Sequence, residues 1–197
     1  MREIRIYQPG LYQQDKIMEL SPEASHHVAV VLRKQPGAEL TLFNGENWEC
    51  GALITVVKKK QVLVSLTHPQ EINKESPLAI HLGQAISKGD RMELVMQKAV
   101  ELGVASITPL WTQRSVVKLE QERLVKKIQQ WQAIAISACE QSGRNTVPKI
   151  NQPLTLEQYL LQQQASLKLI LHTEGNKTWR HYAINQASIA LIIGPEG

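Results

Sequence analysis

Residues 78–110 read LAIHLGQAISKGDRMELVMQKAVELGVASITPL. Leu78–Ile86 is an apolar run of strand length, and Val104–Leu110 is a second. Between them Met92, Val95, Met96, Ala99 and Leu102 recur at helical spacing. Asp90 with Glu93 has the pattern of a capping box, and Gly103 is a stop signal. A strand, a helix and a second strand predict a parallel sheet with helices packed on its faces.

The pattern continues toward the C-terminus. A long helix is predicted over about 119–142, with Val125, Ile128, Trp131, Ala135, Ala138 and Cys139 on one stripe and Gly143 as its end. A helix near 156–164, a strand at Leu167–His172, a short helical stretch near Trp179 and a strand at Ser188–Ile193 follow. Ligands in such sheets sit beyond the carboxyl ends of the strands. Two loops qualify: HTEGN, His172–Asn176, and GPEG, Gly194–Gly197. Neither is a phosphate cradle. GPEG lacks the P-loop lysine, carries a carboxylate and loses one amide donor at Pro195, and GxGxxG is absent. Backbone groups beside an acid suit a ligand with a ribose diol and a positive charge, such as S-adenosylmethionine. An ordinary turn fits the same residues.

Upstream the sequence reads differently. Ile4–Tyr7, Ala38–Phe43, Trp48–Val57 and Gln61–Thr67 alternate or run apolar, with turn chemistry at Gly37, Asn44-Gly45 and Lys58–Lys60. One helix interrupts them, capped by Ser21 with Pro22 in its first position and running to Arg33. This predicts a compact barrel. The polar stretch His68–Pro77 separates the halves, giving a barrel over 1–70, a linker over 71–77 and an α/β domain over 78–197.

The totals bound the function. The chain has 197 residues, 43% of them hydrophobic, and a formal charge of +4, which permits a nucleic-acid partner without demanding one. With one Phe, four Trp and four Tyr, a surface of stacked aromatics is disfavoured. Cys50 and Cys139 are far apart, and the adjacent His26 and His27 point to different helix faces, so no metal site is expected. No apolar run approaches membrane-spanning length, and a cytoplasmic protein is expected.

Several side chains carry chemistry. ACEQSGRNTVP, Ala138–Pro148, sets Glu140, Gln141, Arg144 and Asn145 around one helix end, where Arg144 also fits complementation of the helix dipole. Lys98 and Glu101 read as a surface ion pair. Arg114 lies just past a strand.

HLGQAISKGDRMELVMQKAVELGVASITPLWTQRS, KKIQQWQAIAISACEQSGRNTVPKI and LIIGPEG, in this order and spacing, closely resemble the bacterial methyltransferases acting on uridine N3 in 16S rRNA. These belong to the SPOUT superfamily. HHVAVVLRKQPGAELTLFNG resembles the family's PUA-like barrel. The resemblance implies a PUA-like β-barrel followed by a trefoil-knot α/β domain. It also implies S-adenosylmethionine as cofactor, 16S rRNA of the small subunit as substrate, and a homodimer. In the family, chain continues beyond GPEG, so an incomplete knot and cofactor pocket are expected within these 197 residues.

The resemblance places His172, Thr173, Glu174, Gly194, Pro195, Glu196 and Gly197 around the cofactor. Uracil N3 is protonated at neutral pH, so a base or a stabilising cation is needed. Glu140 is the expected base, and Arg144 and Arg114 the expected cations; bracing of the loops is the alternative for both arginines. Arg33, Lys34, Lys88 and Arg91 are expected to meet RNA phosphates, with the Lys58–Lys60 turn as a further candidate. A non-catalytic RNA-binding protein with an α/β dimerisation domain is the competing function, and a nicotinamide enzyme is disfavoured by the missing glycine fingerprint.

Overall fold

The computed structural model describes residues 3–87, 89–112, 121–172, 174–175, 177–182 and 187–194. They fall into two compact units: Met1–Glu75 with Cys139–Val147, and Ser76–Ala138 with Pro148–Gly197. The sequence reading had placed everything from residue 78 onward in the second domain. The nine residues Cys139–Val147, the last turn of the long helix and the segment after it, instead fall in the first unit.

The first unit is built on β1 (Arg5–Tyr7), β2 (Ile17–Glu19), β3 (Glu39–Phe43), β4 (Trp48–Lys58), β5 (Gln61–Leu66) and β6 (Gln70–Glu71). The sheet runs β1-β3-β4-β5-β2, with β6 on β4. Among the described strands of this sheet only β1 and β3 pair in parallel. In β5 the alternation is complete: Val62, Val64 and Leu66 are buried and the residues between them are half-exposed. They join Ile6, Leu40, Leu42, Ala52 and Ile54 in one core, which Ala24 and Val28 enter from the helix. Each large apolar side chain so buried contributes about 1.5–3 kcal/mol.

That helix starts as expected. Ser21 Oγ accepts the Ala24 amide at 3.1 Å, and α1 spans Pro22–His26. It does not continue as an α-helix to Arg33. His27–Val31 widens into a π turn in which the Leu32 amide donates to the His27 carbonyl at 2.9 Å. The β-branched Val28, Val30 and Val31 crowd a normal turn, and Val28 is fully buried. Arg33 then ends the segment in the left-handed region, at φ 51°. The short strands β2 and β6 had no signal; both are edge pieces with mostly exposed side chains.

The second unit carries β7 (Ala79–Ala85), α2 (Asp90–Glu101), β8 (Ser106–Trp111), α3 (Gln121–Ser142, leaving this unit after Ala138), β9 (Lys149–Ile150), β10 (Leu154–Thr155), α4 (Leu156–Gln162), β11 (Leu167–Ile170) and β12 (Ser188–Ile193). Its sheet is parallel throughout, in the order β10-β8-β7-β12-β11, with β9 beside β8. Met92, Met96 and Val100 of α2 and Trp131 and Ala135 of α3 are buried. Val125, on the same apolar stripe of α3, is 51% exposed.

Two local details differ from expectation or explain it. Asp90 does not cap α2. Gly89 occupies the N-cap at φ 58°, ψ −140°, a conformation open to glycine, and Asp90 becomes the first helical residue. Gly83 in β7 faces the ring of Tyr159: a Cβ there would come within 2.8 Å of it. The Tyr159 hydroxyl donates to the His81 carbonyl at 3.2 Å, which pins α4 across the sheet.

Candidate functional site

Three chain segments leave the second unit's sheet at the carboxyl ends of neighbouring strands. The register pairs Ile170 with Ile192 and Ile193 with Gln84. His172 after β11, Gly194 after β12 and Ser87 after β7 therefore emerge along one edge. The Leu171 amide donates to the Ile192 carbonyl at 2.9 Å, carrying the pairing one residue past β11.

The loop after β11 braces itself. His172 accepts twice: the Glu174 amide donates to its Nδ1 at 3.2 Å, and the Gly175 amide to its carbonyl at 3.1 Å. An accepting Nδ1 leaves the proton of a neutral ring on Nε2. Gly194 has open space where a side chain would stand, with no described atom within 4 Å of a Cβ. Ser87 Oγ is buried and has no hydrogen-bond partner among the described residues. A buried hydroxyl without a partner carries a desolvation cost, and a ligand oxygen or nitrogen at this edge would relieve it. The sequence reading passed over Ser87. Its only signal was its place, just after the apolar run of β7.

These features fit S-adenosylmethionine, whose ribose, adenine and amino-acid groups take backbone and hydroxyl partners. Thr173, Pro195, Glu196 and Gly197, expected at the same site, lie outside the described residues, as do Arg114 and Lys88.

Glu140 and Arg144 are placed in the first unit. Glu140 Oε1 accepts the Tyr7 amide at 3.0 Å. Burial raises its pKa, against the opposing pull of that amide and of His27. Its side chain lines a recess of about 150 Å³ with Arg5, His27 and Gln141. Arg144 is 6% exposed. Its guanidinium grips Glu75 with two nitrogens, Nε donating to Oε1 at 3.0 Å and Nη2 to Oε2. Asn145 is fully buried; its Nδ2 donates to the Ile72 carbonyl at 2.9 Å and its Oδ1 accepts from Arg5. Arg5 also donates to Glu49 at 3.0 Å and lies 5.1 Å from the centre of the Phe43 ring. Burial opposes ionisation of Glu49, but hydrogen bonds from Lys74, Asn145 and Arg5 outweigh it and hold the carboxyl below its usual range. Burial likewise pushes the Cys139 thiol up to about 12, so it stays protonated.

The remaining cations are distributed. Arg33 is exposed after the π turn, and Lys34 borders a groove that also holds Glu3 and Glu39. Arg91 is exposed on the first turn of α2. Lys98 and Glu101 form the surface pair read from their spacing, at 2.7 Å. No described helix is long and apolar enough to cross a membrane.

Residues 74–197 match the RNA methyltransferase domain, and residues 20–67 the RNA methyltransferase PUA domain. The chain is 35% identical over 193 residues to ribosomal RNA small subunit methyltransferase E of Buchnera aphidicola, covering 98% of this chain and 76% of that protein. It is 57% identical to a putative methyltransferase of Legionella pneumophila solved with bound S-adenosylmethionine, with a TM-score of 0.97 over all of this chain and 81% of that one. Against the ribosomal RNA small subunit methyltransferase E of Neisseria gonorrhoeae, bound to S-adenosylmethionine, identity is 36% and the TM-score 0.93, with the same coverage. With a catalytic-domain match over well more than half of its length and relatives of this identity, the chain belongs to the ribosomal RNA small subunit methyltransferase E family of RNA methyltransferases.

Proposed function

We propose that the protein methylates N3 of a uridine in 16S rRNA of the small ribosomal subunit, in the cytoplasm and as a homodimer. The observation that carries the reading is the shared edge of His172, Gly194 and Ser87, in a chain of this family. There the backbone of His172–Gly175 and Gly194 and the hydroxyl of Ser87 would hold S-adenosylmethionine. When bound, that cofactor supplies an electrophilic methyl group on a sulfonium. Apolar side chains exposed on the second unit, Leu94, Leu102 and Val125, support the dimer.

The chain's own residues supply proton transfer and placement. Methylation at N3 needs the N3 proton removed, because the lone pair that attacks is otherwise committed to N–H. Glu140 is the carboxylate assigned to that step. Its raised pKa brings it nearer neutrality, where a base takes a proton most effectively while remaining ionised. Arg144 acts through position, since its fork is engaged by Glu75. Arg33, Lys34 and Arg91 are assigned to phosphate contacts, which orient RNA without reading its sequence.

The test is transfer of a labelled methyl group from S-adenosylmethionine to small ribosomal subunits lacking the modification, followed by nuclease digestion and mass spectrometry. The expected product is a single 3-methyluridine. Label on another atom or base would correct the position, and no transfer by folded protein that binds S-adenosylmethionine would overturn the reading.

A further inference from the structure

The second unit holds a cleft of about 490 Å³ away from the edge described above. It opens between α4 and the segment joining β9 to β10. Thr108 of β8 stands inside it, with Asn151 Nδ2 donating to its hydroxyl at 2.9 Å. Tyr159 closes the floor, 3% exposed. Gln152 and Gln162 stand exposed on its lining, and Lys149 lies at the rim.

The chemistry of this lining is narrow. Beside the apolar Ile150 and Leu154 its polar groups are carboxamides, hydroxyls and one ammonium, with no carboxylate among the described lining residues. Burial raises the Tyr159 pKa, so the phenol stays neutral, and its hydroxyl is already engaged by the His81 carbonyl and by Gln163. A glutamine side chain offers a donor and an acceptor side by side, the pattern that pairs with the edge of a nucleobase. A lone lysine beside such groups suits one phosphate. The volume is of the size that holds a small organic ligand. The cleft opens on the β9 and β10 side of β8, and β8 itself lies two strand spacings, roughly 10 Å, from β12. An RNA strand whose target nucleotide is held at the β12 edge can therefore bring a nearby nucleotide, one or two positions along, to the cleft.

We infer that the cleft seats one unpaired nucleotide of the substrate RNA near the methylated base, with its edge on Gln152 and Gln162 and its phosphate on Lys149. The inference rests on the RNA methyltransferase reading. Unpaired RNA bases splayed from their stack are read in this way, by hydrogen bonds to their edges. The cleft thereby supplies part of the site preference that phosphate contacts cannot.

The experiment compares the unaltered protein with Gln152→Ala/Gln162→Ala and with Lys149→Ala. Small ribosomal subunits lacking the modification serve both for methyl transfer and for equilibrium binding. The double variant should raise KM about tenfold with kcat unchanged, and S-adenosylmethionine affinity should not move. Lys149→Ala should lower the salt slope of binding by about one. In a photocrosslinking experiment with 4-thiouridine-substituted 16S rRNA, the labelled peptide should fall within residues 149–163. Unchanged KM and binding in the double variant, or crosslinks confined to other segments, would overturn the inference. Absence of transfer by the unaltered protein would count against the methyltransferase reading instead, while the binding comparison would still decide the cleft.

Discussion

The amide of Leu171 donates to the carbonyl of Ile192 at 2.9 Å, one residue past the end of β11. This bond brings His172 level with Gly194 at the sheet edge. Replacing Gly194 tests whether the edge holds the cofactor. A leucine there meets no described atom within 4 Å of its Cβ, so the melting temperature should change by no more than a degree or two. Calorimetric titration with S-adenosylmethionine should nevertheless show affinity reduced at least tenfold, because the side chain fills the space backbone groups need for close approach. Unaltered affinity would move the cofactor away from this edge.

Glu140 separates chemistry from packing. Glu140→Gln keeps an oxygen to accept the Tyr7 amide, so the first unit should remain as stable as before. Burial places the carboxyl's folded pKa above its ordinary value. Its ionised form is therefore the disfavoured one, and stability linked to Glu140 declines as pH rises through that pKa. Removing the charge should leave neutral-pH stability equal or slightly higher. Methyl transfer behaves oppositely: a base must be ionised, so the rate should rise with pH through the same pKa. In Glu140→Gln the rate should fall about 10²–10⁴-fold and lose that rising limb. A full rate with the limb intact would remove Glu140 as the base.

Gly83 is legible only with the structure in hand. The ring of Tyr159 lies over it, and an alanine Cβ would stand 2.8 Å from a ring carbon. Because Tyr159 is 3% exposed and its hydroxyl is tied to His81, the ring has little room to yield. Gly83→Ala should cost about 1–3 kcal/mol, the usual range for overpacking, measured by urea denaturation. A variant as stable as the parent would mean α4 shifts freely over β7.

The parallel sheet was legible because its four longer strands, β7, β8, β11 and β12, are rich in apolar residues and α2 and α3 have a clear period; Ser188–Ile193 is the strand expected, residue for residue, while the two-residue strands β9 and β10 left no signal. Helix ends were less so. Asp90 and Glu93 have the right spacing for a capping box, yet Gly89 takes the left-handed backbone position ahead of them and moves the start by one residue. The π turn at His27–Val31 had no pattern of its own, since its hydrogen bonds differ from a helix by one residue of spacing. Cys139–Val147 was the largest surprise. Composition marked Glu140, Arg144 and Asn145 as notable polar groups at a helix end, but their partners are Tyr7, Glu75 and Ile72, and Arg5 completes the set. Separations of up to 140 residues leave no local trace.

The pair Arg144 and Glu75 gives the sharpest test of what this segment contributes. Both side chains are largely buried, and the contact is a two-pronged fork. Arg144→Ala leaves a carboxylate largely shielded from water without its cation, which costs about 3–5 kcal/mol when such a pair is broken from one side. Glu75→Ala should cost a similar amount, and the two together much less than their sum, because the second removal relieves the charge the first stranded. Arg144→Lys keeps the charge but loses the planar fork, so it should recover only part of the loss. Unfolding free energies of the parent, the two single alanine variants and the double give the coupling. If Arg144 acts by position, methyl transfer at low temperature, where all four remain folded, should fall together in Arg144→Ala and Glu75→Ala. A loss of transfer in Arg144→Ala alone, with strictly additive stabilities, would mean the guanidinium works on the RNA and not on Glu75.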